Sequence, residues 1–148
     1  MEIINRKKQP GISLINDIRI AKPEIFRLKN KIPVYMINAG IQNLVKIEIG
    51  FEGGRWFEKK PLIASFTNKM LREGTINYAS SDLAEKIDFY GAHADTSSDK
   101  DMAYVTLYTL NKYLEETLPL LADMVKNPVF PENELEVLRQ NRKQHFRV

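Results

Sequence analysis

Leu44-Val45-Lys46-Ile47-Glu48-Ile49-Gly50-Phe51 sets the fold class of this chain. Val45, Ile47, Ile49 and Phe51 alternate with polar or small residues, and period two over that length predicts a strand with one face buried. Gly53-Gly54 then punctuates the chain. Upstream, Glu24 to Leu28 and Ile32 to Asn38 give two further strand signals around the Lys29-Asn30-Lys31 turn. Downstream the period changes. Leu62, Ile63, Phe66, Met70 and Leu71 recur at helical spacing between Pro61 and Glu73, and Gly74 follows as a helix stop.

A second helix is expected from Ser80 to Gly91, with Asp82 and Glu85 as a capping box and Leu83, Ile87 and Tyr90 on one side. Ala92 to Ser98 and Met102 to Leu110 read as paired strands joined by Asp99-Lys100-Asp101; the pattern leaves open which face of the second is inward. Asn111 is a good N-cap for a helix to Lys126 striped by Leu114, Leu118, Leu121 and Val125, which Pro119 should kink or divide. After Asn127-Pro128-Val129-Phe130, Pro131 opens a last helix through Leu135 and Leu138. It runs to Val148 without a stop signal, so the chain is expected to be a piece of a longer one. Strands, two helices, strands and two helices predict an α+β two-layer sandwich, a mostly antiparallel sheet with helices on one face. Residues 1–23, polar and carrying Pro10, Gly11 and Pro23, are expected to be an arm, and 24–148 a partial domain.

The chain has 148 residues, 43% hydrophobic and 28% charged, the profile of one globular domain. It has no Cys, which excludes disulfides, cysteine zinc sites, iron–sulfur centres and thiol nucleophiles. No apolar run is long enough for a membrane span or a signal peptide, and cytoplasm and periplasm both stay open as compartments. The net charge of +3 is concentrated at the two ends: residues 1–10 carry +2 and residues 139–148 carry +4, so the middle carries 3 − 6 = −3. A nucleic-acid module would spread Lys and Arg over one folded face, so no nucleic-acid partner is expected.

Gly54-Arg55-Trp56-Phe57-Glu58, followed by Ala64-Ser65-Phe66-Thr67-Asn68-Lys69-Met70-Leu71-Arg72-Glu73-Gly74-Thr75, resembles the N-terminal domain of the pitrilysin, insulinase and mitochondrial-processing-peptidase family of zinc proteases. Members of that family carry a helix reading Ala-His-x-x-Glu-His-Met-Leu-x-x-Gly-Thr, and Ala64, Met70, Leu71, Gly74 and Thr75 match it. Tyr90-Gly91-Ala92 and Asn127-Pro128-Val129-Phe130-Pro131 also follow the family layout. The catalytic positions depart from it. In an inverted His-x-x-Glu-His motif, residues i, i+3 and i+4 share a helix face, two imidazoles hold zinc and the carboxylate activates its water. Here those positions are Ser65, Asn68 and Lys69. Ser65 is a poor zinc ligand, Asn68 cannot act as a general base, and Lys69 places an ammonium where the metal would sit. The family's third ligand, a Glu on a later helix, aligns near Gln144 or His145, again without a Glu. No catalytic residue and no bound zinc are therefore expected.

The resemblance implies a non-catalytic homologue that pairs with an active zinc-protease subunit of the same family and helps enclose a chamber for extended peptides. The strand Ala94, Asp95, Thr96 and Ser97 falls where relatives present an edge to peptide, which is β-augmentation; the competing reading is simple pairing within the sheet. Two alternatives to the partner-subunit reading remain. One is a zinc metalloendopeptidase with divergent ligands, for which Glu85, Asp88, Asp95, Asp99 and Asp101, with His93 and His145, are the available side chains, in no recognisable metal spacing. The other is a protein-interaction module unrelated to proteolysis, using the sheet or the basic last helix with Arg139, Arg142, Lys143 and Arg147. A Ser65/Lys69 dyad has no readable oxyanion element beside it.

Overall fold

A computed structural model describes residues 20–146 and, before them, residues 9, 11, 12, 14 and 18. Two compact units make up the chain, Met1–Ile41 and Gln42–Val148. In the first, β1 (Glu24–Arg27) and β2 (Pro33–Met36) form an antiparallel ladder from Glu24 opposite Met36 to Arg27 opposite Pro33. Lys31, at φ 69°, turns the connection. None of its described residues is buried. Among the described residues β1 and β2 pair only with each other.

The second unit carries β3 (Leu44–Glu52), α1 (Ile63–Met70), α2 (Ser80–Phe89), β4 (His93–Ser98), β5 (Met102–Leu110), α3 (Leu114–Lys126) and α4 (Glu132–His145). Its sheet is antiparallel in the order β3-β5-β4, so the longest-range pairing puts β5 in the centre. Ile47 lies opposite Leu107 and Ile49 opposite Val105, while Ala94 meets Leu107 from the other side. The face left open by the pattern of β5 is thereby decided: Ala103, Val105, Leu107 and Thr109 point inward. Leu83 and Ile87 of α2 and Leu120, Leu121 and Met124 of α3 close over them as one core. The helices cover the sheet as an α+β layer, and burial of these side chains is the main stabilising term.

Four local expectations are corrected. Ala79, not Asp82, is the N-cap of α2 and makes no side-chain cap, so the Asp82–Glu85 capping box does not form; the Ser80 hydroxyl instead donates to Glu73 at 2.8 Å. Asn111 opens a 3-10 turn, Asn111–Tyr113, and α3 begins only at Leu114. Pro119 lies inside α3 without dividing it; it is exposed, so water can reach the carbonyl its ring leaves unbonded. The buried stripe of α3 is also rotated. Thr117, Leu120, Leu121 and Met124 face the core, whereas Leu118 is 43% exposed. Thr117 can enter the core because its hydroxyl donates to the Tyr113 carbonyl at 2.8 Å and lies 3.1 Å from the Thr109 hydroxyl. The last helix ends at His145; the continuation expected to Val148 lies outside the described residues.

A buried carboxylate ties α3 to the turn after α1. Asp123 Oδ1 accepts from the Asn77 amide at 2.9 Å and from the Asn127 amide at 2.7 Å. Hydrogen bonding, from the Asn127 amide foremost, holds its pKa below the ordinary carboxylate value. A depressed folded pKa adds stability that is present above the unfolded value of about 3.9 and lost as pH falls through the folded value. Asp123→Asn is therefore expected to flatten the acid limb of the stability curve below about pH 4. Urea denaturation of both proteins from pH 3 to 7 checks this; parallel curves over that range count against it.

Candidate functional site

Helix α1 carries the three motif positions, and its start is built by a distant carboxylate. Leu62 is the N-cap, in the left-handed region at φ 76°, and offers no side-chain cap. Glu58 supplies one instead: its carboxylate accepts from the Leu62 N–H at 3.2 Å and the Ala64 N–H at 3.0 Å, satisfying donors that the first turn cannot. The helix is shorter than the span from Pro61 to Glu73. It tightens at its end, where Leu71, Arg72 and Glu73 donate to carbonyls three residues back, and Gly74 turns the chain at φ 128°. Thr75, almost fully buried, accepts from the Asn77 and Tyr78 N–H groups through its hydroxyl, and its own N–H reaches the Tyr78 carbonyl. The Gly74-Thr75 pair is thus the hinge between α1 and the approach to α2.

Asn68 is the centre of the site. Only 4% of it is exposed, and its Nδ2 donates to the Ser97 carbonyl at 2.5 Å and the Tyr104 carbonyl at 3.2 Å. Ser97 and Tyr104 lie opposite one another in the β4–β5 ladder, so one amide clamps α1 across two strands. Among the described residues its buried Oδ1 has no hydrogen-bond partner. One turn on, Arg72 reaches Asp95 at 3.5 Å across the same gap. That pair is exposed and contributes orientation more than stability. Ser65 is half-buried and Lys69 is exposed.

The structure packs α1 against β4. Within β4, Ala94 is buried, Thr96 is half-buried, and Asp95 and Ser97 are exposed. Among the described residues β4 pairs only with β5, which leaves its other edge without a partner strand. Gln144 and His145 are exposed in the last turn of α4; that helix packs on α1, with its covered residues in its first half. His93 is exposed at the start of β4, its ring 6.3 Å from that of Tyr108. Among the described residues no group of three His, Asp or Glu side chains is placed to hold a metal ion. The residues at 65, 68 and 69 do not fit zinc: the amide of Asn68 is committed as a donor to the strands, and Lys69 is a cation.

The role of Asp99 is not visible in the sequence. Asp99, considered as a metal-binding carboxylate, accepts from the Asp101 and Met102 N–H groups at 2.9 and 2.8 Å and shapes the β4–β5 turn. Those two bonds, Met102 foremost, hold its pKa down. That turn in turn receives the loop before α1, with Gly54, Arg55 and Trp56 donating to the Asp101, Asp99 and Lys100 carbonyls. The Asp-Lys-Asp spacing signals a turn, but nothing local indicates what docks on it.

Comparison with known proteins agrees with this geometry. The sequence model described as insulinase, peptidase family M16, matches residues 36–147. Mitochondrial-processing peptidase subunit alpha-1 of Dictyostelium discoideum is 32% identical over 73 residues, 49% of this chain and 11% of that protein. An uncharacterised zinc protease of Rickettsia felis is 29% identical over 115 residues, 75% of this chain and 27% of its own length. Among solved structures, a peptidase M16 inactive domain from Pseudomonas fluorescens superposes with a TM-score of 0.75 at 24% identity, over 80% of this chain and 30% of that one. A protease from Helicobacter pylori gives 0.74 at 20% identity, over 86% and 31%. The chain spans about a quarter or less of the curated relatives it matches. With the match covering residues 36–147 and the fold shared, the chain belongs to the insulinase, or M16, family of peptidases.

Proposed function

We propose that this chain is a non-catalytic M16 homologue that acts as the partner of a zinc-bearing subunit of the same family in peptide or protein processing. The observation that carries the reading is the conversion of the general-base position into a strut. Asn68 spends both amide hydrogens on strand carbonyls, where the family's chemistry needs a carboxylate beside the metal. Lys69 adds a positive charge at a ligand position, and no step of hydrolysis can be routed through these side chains. The likeness to an inactive M16 domain and to a processing-peptidase subunit supports the same reading. The open edge of β4 supports a role in holding an extended peptide by strand addition, with Asp95 and Ser97 exposed beside it.

The test is zinc stoichiometry at neutral pH after dialysis against trace zinc, together with co-purification against a family subunit carrying an intact His-x-x-Glu-His. The expected result is less than about a tenth of an equivalent of zinc, because no ligand set remains, and a stable complex that survives changes at Ser65 and Lys69. One tightly held equivalent, with chelator-sensitive peptidase activity in the isolated chain, overturns the proposal in favour of an active enzyme with other ligands. Absence of any complex with a family subunit overturns the partner role.

A further inference from the structure

We draw no further inference here: the strongest candidate, the polar concavity between the end of α1, helix α2 and the start of β4, lined among others by Arg72, Glu73, Asp88 and His93, rests on a pair of acidic side chains, of which Glu73 already accepts from the Ser80 hydroxyl and which Arg72 partly offsets, and nothing in the structure points to a ligand there.

Discussion

Asn68→Asp is expected to destabilise the second unit by about 3–5 kcal/mol at neutral pH, a large part of a typical domain's stability. The change keeps the shape of the side chain and removes its donors. It sets a carboxylate against the Ser97 and Tyr104 carbonyls, which now sit 2.5 and 3.2 Å from the amide nitrogen, in a position only 4% exposed. Burial and the two facing oxygens raise the folded pKa of the new carboxyl above its unfolded value of about 3.9. The charge penalty is therefore absent below that value, grows as pH rises through it, and is complete above the folded pKa. Asn68→Ala gives the comparison: it removes the clamp without adding charge, at about 1–3 kcal/mol independent of pH. Urea denaturation of the three proteins at pH 4 and pH 7 separates the cases. An Asn68→Asp midpoint equal to the native one at pH 7 would show that the amide is not a strut.

Gly54→Ala is expected to cost about 2–4 kcal/mol, lowering the melting temperature by roughly 10 °C. The backbone of Gly54 has φ −75°, open to any residue, so strain is not the cause. Close approach is. A Cβ there would lie 2.5 Å from the backbone of Lys100 and Asp101, which cannot swing aside as a side chain can. The loop must lift, weakening the bonds from Gly54, Arg55 and Trp56 to the turn. Gly50→Ala is the control: its Cβ would meet only the Met102 Cε at 3.1 Å and the ring of Tyr104, and the Met end can move. Thermal unfolding should show Gly50→Ala within about 1 kcal/mol of the native chain. Equal losses at the two positions would refute the close-approach argument.

Both substitutions bear on one feature. The loop before α1, the helix itself and the β4–β5 hairpin form a single braced assembly, joined by Gly54 at one end, Asn68 in the middle and the Arg72–Asp95 pair at the other. In a zinc protease such a helix must hold metal ligands in register. Here the brace is present with Ser65, Asn68 and Lys69 at those positions.

The order and kind of the elements are legible in the residues alone, because period two and period 3.6 are local properties of side-chain direction. So is the loss of the zinc motif, since no fold can make Ser65, Asn68 and Lys69 into two imidazoles and a carboxylate. Which faces are buried and what the polar residues do follows from how the elements pack on one another. Leu118 has the right chemistry for the core and lies outside it, while Thr117 lies inside, because the Thr109 hydroxyl opposite accommodates it. Ser80 serves Glu73 instead of its own helix. Asn68 finds its partners 29 and 36 residues away, and Asp123 finds Asn77 at a separation of 46. Contacts at those separations depend on how elements pack rather than on what precedes or follows a residue, and no periodicity in the chain encodes them.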